Sequence, residues 1–502
     1  MVLPAHAVPG MEGELKLGYI FSDEEGNCGV YRPTYNVYEG AALSLRDFHH
    51  QFAGGIRVRA DLENLTLKNR RVHAGISRSG LFGLELTGSQ YRRRYDFAGK
   101  ASTRRDQLGG QLWVQPVQEI RLFGGYSFAK KEGESVEWFD PGYLTSVRAT
   151  DYDQHAYHAG IQLNHRGSMV RTEYRRSDFT DQLSRADDRQ TTRFKVVAMT
   201  PLPHFRQILL SGGYQHFRHA IDTMAARTSA NTVWGGGTWS LPRGYSLKYT
   251  FIFDRALDTG QPAATDNITQ AAYAGKVWPG TGGATFGYQH AINDDYYDET
   301  QTDGFSAGGW VKPRKEMTFK GQFGIQREDV KDGTTLTGDE DLTRYSVSAT
   351  YQPEPLTLRV KYEDKKRDNA DIGSSVDFRR LSADMTLLRK PLGELTGSYA
   401  LLAGEYQNND SSFEFTDHVL GGSWLSPVFH RLQAGVDGTY YRSKRDLDVE
   451  SFSLRLAGHY EFVDGYRFNV SYAAHNFDDL LVYNTYYTAN IVEISVSKNL
   501  SF

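Results

Sequence analysis

The sequence predicts an all-β chain, an antiparallel barrel that spans an outer membrane, and three observations carry that expectation. Apolar and polar residues alternate with a period of two through most of the chain, and tight Pro- or Gly-bearing turns alternate with longer polar segments. Tyr (31), Phe (27) and Gly (50) are abundant. No apolar run reaches the ~18 residues that a membrane-spanning helix needs. A mean hydropathy of −0.54 fits such a barrel, because half of every strand faces a wet lumen.

Taken in order, the chain opens with Leu3-Pro4-Ala5-His6-Ala7, small residues spaced as at an A-x-A cleavage site, so residues 1–7 read as the end of a signal peptide, with a chance Ala-x-Ala as the alternative. Residues 8–51 hold Tyr31, Tyr35 and Tyr38 but little sustained alternation. They are expected to form an amino-terminal segment at the lumen or periplasmic rim, or else to supply two further strands. Gly13 to Phe21 is the candidate strand there, and counting it alone would make the number odd.

From residue 52 to 502 one unit repeats: a strand of about ten residues, a tight turn, a second strand, then a longer polar loop. Leu356, Leu358, Val360 and Tyr362 alternate with Thr357, Arg359, Lys361 and Glu363. Tyr245, Leu247, Tyr249, Phe251 and Phe253 alternate with Ser246, Lys248, Thr250, Ile252 and Asp254, and Phe452 to Phe462 reads likewise. Short turns fall at Arg78-Ser79-Gly80, Gln115-Pro116, His165-Arg166-Gly167, Pro242-Arg243-Gly244, Pro279-Gly280, Pro353-Glu354-Pro355 and Asp464-Gly465, among others. They are assigned to the periplasmic side. The polar segments Lys131 to Thr150, Asn293 to Asp303, Glu328 to Asp341 and Asn476 to Ala489 are assigned to long extracellular loops. Tyr214, Tyr288, Tyr351, Tyr399 and Tyr472, at strand ends, suit aromatic girdles. The hairpins from Gly54 onward number about 24 strands, with 22 to 26 as the range. The last runs from Val492 to the terminal Phe502, an ending characteristic of outer-membrane barrels.

Charge and cysteine content narrow the function. Lys and Arg (57) nearly balance Asp and Glu (61), which leaves no field for a nucleic-acid partner, and the lone Cys28 excludes an internal disulfide framework, a cysteine-rich zinc site and c-type haem attachment. No catalytic, cofactor-binding or metal site is assigned, since no nucleophile elbow or H-E-x-x-H motif is present. A sheet of about 24 strands has a backbone diameter near 50 Å and a lumen of roughly 30 Å, wider than a sugar porin requires.

Several stretches then resemble a known family. Tyr35-Asn36-Val37-Tyr38-Glu39-Gly40, Leu65 to Arg71, Gly80-Leu81-Phe82-Gly83-Leu84, Gln90 to Phe97, Thr103-Arg104-Arg105-Asp106-Gln107 and Leu122 to Tyr126 are similar to the outer-membrane channel of porin–cytochrome conduits, the MtrB/PioB-like group. The similarity covers mainly residues 30 to 180. It implies a barrel that sheathes a periplasmic multihaem c-type cytochrome, meets an extracellular multihaem cytochrome, and serves extracellular electron transfer with haem carried only by its partners. The alternative is a general or substrate-specific diffusion porin, in which Arg57, Arg59, Lys248, Arg359, Lys361, Glu363 and Arg455 would face the lumen and set ion preference; solvation of a wet wall accounts for them equally.

Among the histidines, His49-His50, His155 and His158, and His216 and His219 are the close pairs. His155 and His158, three apart, belong on opposite faces of a strand, and hydrogen bonding in the lumen is the expected role. Asp294, Asp295, Asp298, Glu299 and Asp303 form either a weak Ca²⁺ site or a solvated loop tip. Arg92-Arg93-Arg94 with Arg104-Arg105 suits lipopolysaccharide phosphates, an acidic cytochrome surface or plain solvation.

Overall fold

The computed structural model describes residues 10–26, 38–94, 102–138, 145–184, 188–203, 205–221, 226–259, 264–294, 299–331, 339–369, 371, 373–409, 411–481 and 486–501. The candidate cleavage site, Cys28, Tyr31, Tyr35, Asp295, Asp298 and Phe502 lie outside them.

Alternation turns nearly every described segment into strand. The first nine are β1 (Met11–Gly26), β2 (Gly40–Gln51), β3 (Ile56–Glu63), β4 (Arg71–Arg78), β5 (Phe82–Arg94), β6 (Ser102–Val117), β7 (Ile120–Trp138), β8 (Thr145–His165) and β9 (Ser168–Asp181). Next come β10 (Arg189–Leu202), β11 (Phe205–Ile221), β12 (Ala226–Ser240), β13 (Tyr245–Asp258), β14 (Thr265–Trp278), β15 (Gly282–Asp294), β16 (Glu299–Arg314), β17 (Met317–Lys331) and β18 (Glu340–Tyr351). The chain completes the wall with β19 (Leu356–Asn369), β20 (Ser374–Arg389), β21 (Gly393–Gln407), β22 (Ser412–Leu425), β23 (Leu432–Arg445), β24 (Val449–Val463), β25 (Tyr466–Asp479) and β26 (Tyr487–Asn499). A single 3₁₀ turn, Pro242–Gly244, is the helical element among the described residues.

Each strand pairs antiparallel with its sequence neighbours, and β26 pairs with β1 from Glu14↔Asn499 to Gly26↔Tyr487, so the 26-stranded sheet closes. Followed strand by strand around the ring, the register returns to β1 displaced by about 26 residues, which for this strand number gives a tilt of about 37° and a backbone diameter of about 46 Å. Closure leaves no unpaired edge to face lipid.

The 24 strands expected after residue 52 are β3 to β26. Residues 8–51, expected first as a segment at the lumen or rim, instead supply β1 and β2 to the wall. The alternation was hard to see there because lumenal Ile20 and Ala42 are apolar. They belong to a buried cluster with Leu67, Ala473, Tyr487, Ala489 and Ile491, which thickens the inner face of the β26–β1 seam. Strand length is a second correction. The wall strands run to as many as 21 residues, so the Lys131 to Thr150 segment is largely strand, and β17 and β18 take up the two ends of the Glu328 to Asp341 segment. Pro116, expected in a turn, lies inside β6 beside a bulge, and the turn follows at Gln118 and Glu119.

The barrel is hollow. Its accessible surface of 31281 Å² is well above the about 18,600 Å² that a compact chain of this mass would expose. The excess is the lumen and a continuous outer band of exposed apolar side chains, among them Phe286 (65%), Leu17 (62%), Leu108 (59%) and Val347 (55%). No soluble monomer exposes an apolar surface that extensive. On β24 the band runs from Phe462 to Phe452, about 26 Å high at that tilt, against the roughly 25 Å band of transmembrane barrels. The chain is an outer-membrane β-barrel.

Candidate functional site: the lumenal wall

Alternation and register divide the wall into two faces. Outside, the apolar band begins at the even-to-odd strand connections, as at Tyr245 after Gly244 and Leu356 after Pro355. At the opposite ends the strands continue past the band with charged outward rungs. These are paired along single strands: Arg176 with Asp178 (3.0 Å), Arg327 with Asp329 (2.7 Å) and Lys366 with Asp368 (2.7 Å). Exposed pairs of this kind add little stability but keep those ends out of lipid. Between band and charges runs a girdle of tyrosines tied to the next strand. The hydroxyls of Tyr214, Tyr288, Tyr345 and Tyr472 donate to Asn231 (2.7 Å), Asp303 (2.6 Å), Asp364 (3.1 Å) and Asn490 (2.7 Å). Each ring reaches into lipid while its polar tip stays at the interface.

The proposed lumenal residues Arg57, Arg59, Lys248, Arg359, Lys361, Glu363 and Arg455 all occupy the inner face. Arg59 is paired with Glu85 on β5, Lys361 lies 2.7 Å from Glu363, and Arg455 stands opposite Asp437. His155 and His158 do lie on opposite faces, yet the lumenal role fails for three of the paired histidines, the first of them His50, which stands outward opposite Val58. His155 faces outward, 2.8 Å from the Tyr126 hydroxyl, and outward His216 lies 2.9 Å from Asn231 Oδ1. His219 does face the lumen, 3.0 Å from Thr191 Oγ1. Asp294, Glu299 and Asp303 are outward on β15 and β16; Asp303 accepts from Tyr288 and His290 (2.9 Å), and among the described residues no three potential metal ligands converge. Arg92, Arg93, Arg104 and Arg105 belong to strands rather than loops, with Arg104 outward against Asp106 (2.7 Å) and Arg105 lumenal.

Sequence reasoning missed a recurrent lumenal stack. Trp113 lies over Gly83 of β5, where any Cβ would collide with its indole, and the Arg121 guanidinium lies over the other ring face at 4.3 Å. The same three layers recur around the wall. Phe123 rests on Gly160 beneath Arg171 (4.2 Å), Trp234 on Gly213 beneath Lys195 (5.3 Å), Tyr273 on Gly287 beneath Lys248 (5.7 Å), and Trp310 on Gly283 beneath Lys312 (5.7 Å). Each glycine is the direct cross-strand partner of its ring. Glycine is needed here for its missing side chain, which lets a large ring lie against the sheet instead of projecting into the bore. The cation adds about 0.5–2 kcal/mol per stack at such partly wet sites.

Among the described residues the lumen is open: each strand makes its extensive contacts with its sheet neighbours, and no element crosses the bore. Subtracting inward side chains from a backbone diameter of about 46 Å leaves a passage of about 30 Å.

No protein-family model and no curated protein matches the sequence. Solved structures match the fold. A ferric enterobactin receptor from Pseudomonas aeruginosa in complex with enterobactin superposes with a TM-score of 0.53 at 10% identity, over 97% of this chain and 81% of that one. The copper transporter OprC gives 0.52 at 10% identity over 97% and 80%. The iron transporter FrpB of Neisseria meningitidis gives 0.50 at 12% identity over 84% and 81%. At these identities the likeness establishes a large outer-membrane barrel and nothing about cargo.

Proposed function

We propose that this barrel is the outer-membrane sheath of a porin–cytochrome conduit, holding a periplasmic multihaem c-type cytochrome in its lumen so that electrons pass to an extracellular multihaem cytochrome. The observation that carries the reading is the open, polar, roughly 30 Å bore, whose large aromatic rings are laid against the wall. A chain of haems with propionates and polar backbone cannot stand in hydrocarbon, so it requires a wide wet tube that excludes lipid. The motifs between residues 30 and 180 that are similar to the MtrB/PioB-like channels favour the same assignment. In this reading the barrel is not an enzyme and holds no cofactor; haem arrives with the partners, and lipid and lipopolysaccharide surround the outer face.

The test is electron transfer across proteoliposomes with an entrapped acceptor and both cytochromes supplied. Transfer should require the barrel, and equal rates without it would overturn the reading. The cation-rich lumen also favours a second reading, an anion-preferring diffusion porin. Large steady currents through the native barrel as isolated with its partners would support the porin, whereas a silent complex that conducts only once stripped supports the sheath.

A further inference from the structure

The lumenal charge is unevenly distributed. In the half of the bore nearest the short turns, the strands from β6 to β17 present Arg121, Arg171, Lys195, Lys248, Lys312 and Lys320, and against them, among the described strand residues, the single carboxylate Glu173, with Glu119 and Glu316 in the turns at the rim. The rest of that half-ring is balanced: Lys16 is paired with Glu493 (2.5 Å) and Arg59 with Glu85, and Arg455 faces Asp437. Five of the six cations sit on the glycine-backed rings, with the ring behind and open lumen in front.

We propose that the β6–β17 arc of the short-turn half of the lumen is a docking face for the acidic surface of a folded protein entering from the periplasm. The naming of that protein as a cytochrome rests on the conduit reading. Three features select this occupant. The cations are strung over about 60 Å of circumference, so they form no pocket for one small anion, but a rigid acidic surface meets several at once. They are also pre-positioned, because a head group resting on a ring has less freedom to lose than one on a bare stem. A nucleic acid is disfavoured, since strand-binding channels stack bases on free aromatic faces and these rings are covered by glycine backbone on one face and a cation on the other. One-sided charge implies an off-axis partner, seated against β6–β17 and separated from the opposite wall by water.

The test uses the full barrel with Lys195, Lys248, Lys312 and Lys320 all changed to Gln. A control carries Arg93, Arg105, Lys131 and Lys365, lumenal cations of the other half, changed to Gln. Heat-modifiable gel mobility verifies that each folds. In planar bilayers, poly-L-glutamate added on the short-turn side should block the wild-type and control barrels, and block should weaken by about tenfold in the first variant. Equal block in all three overturns the proposal. In host membranes, the first variant should lose c-type haem at lower salt than wild type or control. Haem retained equally by all three overturns the docking face while leaving the conduit standing. Absence of any haem protein from the wild-type barrel, with lysine-dependent block intact, refutes the conduit and leaves the acidic-protein face standing.

Discussion

Phe251 and Ile252 are adjacent apolar residues on β13 that composition alone would treat alike, yet the register sends Phe251 to lipid and Ile252 to the lumen beside Trp234 and Thr269. Arginine at each position should therefore have unequal effects. Phe251 lies within the outward series Tyr245, Leu247, Tyr249, Phe251 and Phe253, which ends where Arg255 marks the charged rungs. Phe251→Arg thus places a guanidinium inside the band, between its middle and its charged end, at a cost of about 1–3 kcal/mol, a factor of roughly 5 to 160 in the folded-to-unfolded ratio. Ile252→Arg places the same group in water two residues from lumenal Asp254, and its effect should stay within about 1 kcal/mol. Urea titration of the barrel in liposomes, followed by heat-modifiable gel mobility, reads both midpoints. Equal costs, or the larger cost at Ile252, would refute the two-faced wall and the register behind it.

Gly213→Val should drive Trp234 off the wall into the bore, with a stability loss of about 1–3 kcal/mol and lower conductance, whereas Gly321→Ala, where a Cβ meets open space, should change neither. On a Cys28→Ser background, a cysteine replacing Asn409 should react with an impermeant maleimide on intact cells and one replacing Lys390 should not; the reverse pattern would invert the orientation assigned from turn length.

Much of the architecture was legible because a period-two pattern is a direct imprint of a sheet with lipid on one side and water on the other. It allowed Arg359, Lys361 and Glu363 to be assigned to the lumen without coordinates. Legibility failed where a face departed from its expected chemistry. Ile20 and Ala42 are lumenal and apolar, which hid β1 and β2, and the charged outward rungs such as Glu132 and Asp329 made strand ends look like loops. His155 and His216 were misplaced for the same reason, since above the lipid band the outer face is as polar as the inner one. The glycine-backed rings were invisible for a different reason. Gly83 and Trp113 are thirty positions apart, and only the pairing between strands reveals that they meet.

The β1–β26 ladder joins segments nearly the whole sequence apart, through thirteen residue pairs. Until it forms, both terminal strands carry a row of unmet amide donors and carbonyls that hydrocarbon cannot satisfy, and bringing such distant segments together incurs the loop-closure entropy before any of those bonds form. An open sheet of this size is therefore not a stable intermediate in a bilayer. Biogenesis has to shield the first hairpin until the last strand arrives, so that zipping the seam and burying the greasy girdle become a single event.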